Sequence, residues 1–147
     1  MARNKDISNG ALKVLYIEDD SSQREELASQ LRRRGHTILS QKSGEEGLKY
    51  LGKENADIVL CDLNMPGMNG LEVLQAIRQK GIKIPFMLIT AHGSVELATQ
   101  AIREGVYHFL MKPFDIDNIE ILMYQALEHS ELQKRLDENS RKLEKAT

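Results

Sequence analysis

Short apolar runs alternate with longer segments that carry apolar residues at helical spacing. Strand-like runs rich in β-branched and aromatic residues occupy positions 14–17, 58–61, 86–89 and 107–111, and a weaker run spans 36–40. Each run is followed by a segment whose apolar residues recur every three or four positions, as on one face of a helix. This alternation predicts five strands and five helices in the order (βα)₅.

Residues that favour helix ends punctuate the pattern. Ser21 or Ser22, Ser43, Asn69 and Ser94 stand where N-caps are expected, and the last helix is predicted to begin near Asp117. Ser43 also has Glu46 three positions later, which is the spacing of a capping box. Gly35, Gly81 and Gly105 stand where the first, third and fourth helices should end.

The predicted strands are apolar at nearly every position, which is typical of strands buried on both faces. Strands that alternate with helices through short connections form a parallel sheet with right-handed crossovers and helices on both sides. The fold class is therefore α/β, a doubly wound sheet of five parallel strands. In such a sheet the C-terminal ends of all strands lie at one edge.

Polar residues follow four of the predicted strands at that edge. They are Glu18, Asp19 and Asp20 after the first strand, Asp62 after the third, Thr90 after the fourth and Lys112 after the fifth. Open α/β sheets bind ligands at this edge. Crowded carboxylates raise each other's pKa unless a cation neutralises them, and Mg²⁺ prefers oxygen ligands and phosphate oxygens. The set predicts a pocket for a divalent cation and a phosphoryl group.

Each of these residues also has an ordinary structural interpretation. Residues 18–20 are a normal helix lead-in, in which aspartate is a good N-cap. Thr90 is a common strand residue, and Lys112 before Pro113 suits a surface turn, with a cis bond at Pro113 as one option. Taken separately these interpretations are adequate, whereas their convergence on one sheet edge favours the pocket.

Composition narrows the class of protein only modestly. The 147 residues carry a formal net charge of −2, so nothing global favours binding to nucleic acid or to an anionic membrane. The single cysteine, Cys61, excludes an internal disulfide and suits a core position in a reducing compartment. The first residues lack the apolar stretch of a signal peptide, and no window is apolar enough for a membrane span. We expect a cytoplasmic protein.

The C-terminal segment from Asp117 has neither glycine nor proline and predicts one long helix. Its first half is apolar on several sides and should pack on the sheet. Beyond His129 the apolar residues thin out to Leu132, Leu136 and Leu143, with Asn139 between them. Spacings of four and seven fit the seam of a parallel coiled coil, and a solvated tail is the alternative. We assign 12–129 to the domain and 130–147 to a linker helix.

The chain resembles the response-regulator receiver domain of two-component signal transduction, from about Lys13 to His129. The matching motifs are residues 17–20 (Ile-Glu-Asp-Asp), 62–70 (Asp-Leu-Asn-Met-Pro-Gly-Met-Asn-Gly), 90–91 (Thr-Ala) and 112–114 (Lys-Pro-Phe). Each motif is weak alone, and the ordered set is specific. The resemblance implies a flavodoxin-like fold and a phosphoprotein that works with Mg²⁺.

The resemblance also implies roles for individual residues. Asp62 is the expected phosphoacceptor, which takes a phosphoryl group from the phosphohistidine of a sensor histidine kinase or a phosphotransfer protein. The other expected roles are metal binding by Glu18, Asp19, Asp62 and the Asn64 carbonyl, phosphate binding by Thr90 and Lys112, switching by Thr90 and Phe109, and tuning of dephosphorylation by Asn64 and His92. Glu18 replaces a commoner aspartate, and Phe109 lacks the hydroxyl of the commoner tyrosine. Phosphorylation is expected to change the surface of the fourth helix, fifth strand and fifth helix.

Two other functions deserve comparison with this one. An aspartyl-phosphate phosphohydrolase would place an acid two residues after its nucleophile, where this chain has Asn64. An FMN-binding module would need a Ser/Thr/Gly-rich loop after the first strand, where residues 18–20 would repel phosphate. We therefore expect a signalling domain that is not an enzyme, apart from self-catalysed phosphotransfer and autodephosphorylation. The sequence is compatible with a stand-alone receiver and with the amino-terminal part of a longer regulator, and we favour the second. We expect no direct nucleic-acid binding within this chain.

Overall fold

The computed structural model describes residues 10–91 and 95–146. The elements in chain order are β1 (Lys13–Ile17), α1 (Ser21–Arg33), β2 (Thr37–Gln41), α2 (Gly44–Lys53), β3 (Ile58–Asp62), α3 (Gly70–Gln79), β4 (Phe86–Thr90), α4 (Val95–Arg103), β5 (His108–Met111) and α5 (Ile116–Ala146). The predicted (βα)₅ order is confirmed. The strands differ from the sequence prediction by about one residue at their ends.

The five strands form one parallel sheet in the order β2-β1-β3-β4-β5. The chain runs outward from β1 in one direction to β2 and then in the other to β3, β4 and β5. The crevice between the C-terminal ends of β1 and β3 is therefore the topological switch point, where doubly wound sheets bind ligands. Ile17 is paired with Cys61 there, so Glu18 and Asp62 follow on neighbouring strands.

The core has one layer on each face of the sheet. Alternation along β1 sends Val14 and Tyr16 to one layer, and Leu15 and Ile17 to the other. The first layer is completed by apolar residues of α1 and α5, and the second by residues of α3 and α4, with part of α2 packed against it. Strands buried on both faces account for the apolar runs in the sequence.

The helix caps differ in part from the sequence prediction. Asp20 caps α1, not Ser21 or Ser22, because its carboxylate accepts the N–H of Gln23 at 2.9 Å. Ser43 caps α2 by accepting the N–H of Glu46, but the Glu46 carboxylate reaches the N–H of Lys42 instead of closing a capping box. A complete capping box forms at α3 between Asn69 and Glu72. Ser94 lies outside the described residues.

A buried histidine fastens α5 to the opposite end of the sheet from the polar edge. The N–H of Leu12 donates to Nδ1 of His36 at 3.0 Å, which places the ring hydrogen on Nε2. Nε2 donates to Glu120 on α5 at 2.6 Å, and Arg34 pairs with both Glu120 and Asp117. The first half of α5 is thus held by polar contacts as well as by core packing.

Within residues 10–91 and 95–146, no helix combines the length and apolar character needed to cross a bilayer. α5, the longest of the described helices, carries many charged residues along its length.

Gly70 should be sensitive to any added side chain. A Cβ there would stand 2.5 Å from the Asp62 carbonyl oxygen and 2.6 Å from a Leu88 methyl group. We expect Gly70→Ala to lower the free energy of unfolding by about 2 kcal/mol or more, because backbone must move to relieve the contact. Gly52, in the helix α2, meets nothing within 4 Å. Gly52→Ala should therefore raise stability by up to about 1 kcal/mol. Urea unfolding of both variants checks this, and equal effects of the two would contradict it.

Candidate functional site

Three carboxylates converge at the switch point between β1 and β3. Asp62 is the last residue of β3 and is 6% exposed, Glu18 follows β1 and is 1% exposed, and Asp19 is exposed. One ligand oxygen from each of these residues lies within 4.8 Å of the others. The structure therefore brings together the acidic residues that the sequence placed at this edge, with Asp20 turned to helix capping.

Lys112 brings a positive charge to this cluster from the end of β5. Its Nζ lies 3.1 Å from Glu18 Oε1 and 3.8 Å from Asp62 Oδ2, and it also contacts the side-chain oxygen of Gln23. The expected pairing with Asp62 is present, but Glu18 is the closer partner. The peptide bond between Lys112 and Pro113 is cis.

Crowding and burial act on the charge of Glu18. Burial, a hydrogen bond with Asp62 and the negative charge of Asp62 raise the pKa of Glu18 from 4.5 to about 7, against the opposing effect of Lys112. Tyr16, two residues earlier on β1 and nearly fully buried, also forms a hydrogen bond with Glu18. The pKa of the Tyr16 phenol is raised, first by burial and then by the charges of Glu18 and Asp62. The site carries more negative charge than its own lysine offsets.

The remaining polar groups of the site are paired with each other. The hydroxyl of Thr90, buried at the end of β4, donates to Asn64 Oδ1, and the N–H of Asn64 donates to Asp62 Oδ1 at 3.1 Å. Thr90 is thus one side chain away from the expected phosphoacceptor. Phe109 on β5 is partly buried against the core layer that contains α3 and α4. His92 lies outside the described residues.

Two residues of the site were not identified from the sequence. Gln23 contacts Lys112, and Arg24 donates from Nη1 to the carbonyl oxygens of Glu18 and Asp19 at 2.7 and 3.3 Å. Both lie in the first turn of α1, directly after residues 18–20, which we call the acidic turn. Their place three and four residues after Asp20 was a usable signal, because side chains in a first helical turn can reach back to the preceding loop.

The residues present suit a hard divalent cation. The three carboxylates offer the oxygen ligands that Mg²⁺ prefers. A cation there would favour the ionised form of Glu18, whose pKa is raised by burial and by Asp62. Glu18, Asp19 and Asp62 are the residues that could hold it.

Comparison with known proteins agrees with this geometry. A family model described as the response regulator receiver domain matches residues 14–123, and the chain belongs to that family. It is 36% identical over 122 residues to the DNA-binding transcriptional regulator NtrC of Escherichia coli K12, covering 83% of this chain and 26% of that protein. It is 41% identical over 105 residues to the response regulator FleR of Pseudomonas aeruginosa, covering 71% and 22%. The chain thus spans about a quarter of the length of these curated relatives.

Solved structures show the same fold. NtrX from Brucella abortus superposes with a TM-score of 0.79 at 28% identity, covering 88% of this chain and 29% of that one. The receiver domain of a putative LuxO repressor from Vibrio parahaemolyticus gives 0.78 at 27% identity, covering 86% and 98%. The doubly wound, flavodoxin-like sheet with a long final helix is therefore confirmed.

The pKa of Glu18 predicts a pH-dependent stability of the metal-free protein. A carboxyl group whose pKa is raised on folding costs nothing below its unfolded pKa of 4.5. The cost grows as pH rises and is fully present above about 7. We expect Glu18→Gln to be more stable than wild type by about 1–3 kcal/mol at pH 8, with the difference vanishing near pH 4.5.

Urea unfolding without divalent cations, across this pH range, measures the difference. Glu25→Gln is the control, since Glu25 is exposed on α1. A Glu18→Gln difference that stays constant with pH would contradict the assignment.

Proposed function

We propose that this chain is the phospho-accepting receiver of a response regulator. In this proposal Asp62 takes a phosphoryl group from the phosphohistidine of a sensor histidine kinase or a phosphotransfer protein. The main observation behind this proposal is the position of the Asp62 carboxylate. Asp62 is the last residue of β3, and its carboxylate lies 3.8 Å from the Lys112 ammonium and beside two further carboxylates. Family membership supports the same role.

The chemistry follows from the charges at the site. An Asp62 oxygen forms a bond to phosphorus as the N–P bond of the phosphohistidine breaks. The transferring group spreads negative charge over its oxygens. A Mg²⁺ ion held by Glu18, Asp19, Asp62 and the Asn64 carbonyl would supply positive charge against those oxygens. Lys112 would leave Glu18 for the phosphoryl group, because the acyl phosphate adds about −1.5 to −2 charges next to it.

The switch would work through Thr90 and Phe109. The Thr90 hydroxyl donates to Asn64 in this structure and would donate to a phosphoryl oxygen after transfer. Phe109 would fill the vacated space, and since it has no hydroxyl this movement rests on packing alone. The surface of α4, β5 and α5 would change with it, as a two-state equilibrium biased by phosphorylation. Asn64 and His92 would set how readily water reaches the acyl phosphate.

Hydrolysis as a main activity is the weaker candidate. The residue two positions after Asp62 is Asn64, whose amide oxygen accepts from Thr90 and which has no acidic proton to give to a leaving group. We therefore propose a cytoplasmic signalling domain with self-catalysed phosphotransfer and autodephosphorylation. Its output would lie in a longer regulator or in a partner protein.

Asp62→Asn is expected to abolish phosphorylation by acetyl phosphate with Mg²⁺, because an amide is a poor nucleophile for phosphorus. Wild type should gain one hydroxylamine-labile phosphoryl group per chain, measured by intact mass. Asp57→Asn is the matched control, since Asp57 precedes the same strand and its carboxylate accepts the N–H of Lys13 at the opposite end of the sheet. Undiminished labelling of Asp62→Asn would refute the assignment.

We also propose that residues 130–147 form a linker helix that pairs with a second copy in parallel. α5 runs without a break from Ile116 to Ala146, past the end of the domain at about residue 129. Leu132, Leu136 and Leu143 are 56%, 59% and 70% exposed, which costs free energy unless a partner covers them. Their spacing of four and seven residues places them on one stripe, with Asn139 available to set the register.

Leu136→Glu is expected to weaken self-association at least about tenfold, because it puts a charge into the apolar seam. Arg141→Gln makes the same change in net charge on the opposite side of the helix and should leave association unchanged. Sedimentation equilibrium over a range of concentrations measures both. Monomeric wild type at millimolar concentration would rule out the seam.

A further inference from the structure

Arg24 contacts the backbone of the acidic turn, and this contact is required neither by the core packing nor by the phosphoryl transfer proposed above. Its guanidinium reaches back from the first turn of α1 to the acidic turn. There Nη1 donates to the carbonyl oxygen of Glu18 at 2.7 Å and to that of Asp19 at 3.3 Å. Both hydrogen bonds go to backbone oxygens, so Arg24 does not occupy the carboxylate oxygens of either residue.

We propose that Arg24 is a positioning residue that holds the acidic turn in the geometry that binds a divalent cation. This inference rests on the proposed metal site and adds a residue to it. Arg24 does not touch the reacting groups. It acts through the backbone that carries Glu18 and Asp19.

The need for such a residue is greatest at Asp19. Glu18 is enclosed by Tyr16, Lys112 and Asp62, whereas Asp19 is exposed and has no surrounding core to fix it. The two carbonyls belong to the peptide planes on either side of the Asp19 Cα. Fixing both planes fixes the backbone dihedrals of Asp19, and therefore the direction in which its side chain leaves the chain. A ligand oriented before binding loses less conformational entropy when the cation arrives.

The turn is closed by further hydrogen bonds. The Asp20 carboxylate accepts the N–H of Gln23 at 2.9 Å, and its N–H donates to Glu18 Oε2 at 3.3 Å. The N–H of Arg24 donates to the Asp20 carbonyl at 2.9 Å. Helix α1 therefore provides a fixed base from which the Arg24 side chain reaches the turn.

The positive charge of Arg24 and the directions of its N–H groups make separable contributions to holding the acidic turn. Nη1 of Arg24 carries two N–H groups within the rigid planar fork of the guanidinium, so their directions toward the two carbonyls are fixed. Lysine keeps the positive charge near the acidic cluster but loses the fork. A purely electrostatic role would therefore survive Arg24→Lys, and a positioning role would not survive it fully.

The test is a titration of the whole chain with Mg²⁺ alone, with no phosphodonor, followed by amide NMR shifts at pH 8. Removing a residue that orients metal ligands typically weakens metal binding about 10- to 100-fold. We expect Arg24→Gln to raise the Mg²⁺ Kd at least about tenfold and Arg24→Lys to raise it about three- to fivefold. Arg33→Gln removes an exposed arginine from the far end of the same helix and should change the Kd less than about twofold.

A second readout separates positioning from general damage. At saturating Mg²⁺, the rate at which acetyl phosphate labels Arg24→Gln should return to within about threefold of wild type, because the cation then orders the turn itself.

If Arg24→Gln fails to fold, the Arg24→Lys titration decides alone. Equal Kd values for wild type and the available Arg24 variant would overturn the role of Arg24, as would a normal Kd for Arg24→Lys beside a weakened Arg24→Gln. No saturable shifts in wild type would overturn the metal site and this role together, whatever happens to Asp62 labelling.

Discussion

The burial of two neighbouring carboxylates, Glu18 and Asp62, beside the exposed Asp19 is the constraint on which the rest of the site depends. A parallel sheet places the ends of β1 and β3 side by side, and two of these carboxylates are buried there. Burial, and then the neighbouring Asp62, raises the pKa of Glu18 to about 7, so the ionised form of Glu18 is disfavoured in the folded chain. An arrangement that is unfavourable without a cation is the one that would gain most from binding a cation, so the proposed metal site would exchange stability for affinity at this edge.

The cationic and hydroxyl groups that the proposed function assigns to phosphoryl binding are already paired in this structure. Lys112 lies between Glu18 and Gln23, and Thr90 donates to Asn64. Each would have to exchange one partner for a phosphoryl oxygen. Because the resting partners are themselves polar and well placed, the gain from phosphorylation is a difference between two satisfied states. A small difference of this kind suits a switch that must also return to its resting state.

The alternation of strands and helices, the parallel sheet and the shared polar edge were predictable from the sequence, because buried parallel strands appear in it as continuous apolar runs. Contacts that depend on how far a side chain reaches were not predictable from the sequence. Asp20 rather than a neighbouring serine caps α1, since the helix begins one residue earlier than the serines allow. In the sequence Arg24 and Gln23 resemble ordinary surface residues of a helix. Their contacts with the site follow from the position of the first turn of α1 against the acidic turn. His36 gave no sequence signal of its buried contact with Glu120, 84 positions away.

The absence of a side chain at Gly70 bears on the direction in which the domain can respond. The N–H of Leu63 donates to the carbonyl of Ile89, that of Gly70 donates to Leu63, and α3 approaches so closely that a single methyl group would collide with the Asp62 carbonyl. Asp62, the proposed phosphoacceptor, therefore has closely packed backbone on the side of α3. If Asp62 is phosphorylated, we expect the resulting strain to be relieved through β4 and β5 rather than into α3. A mechanical anisotropy of the domain would then select the face that responds.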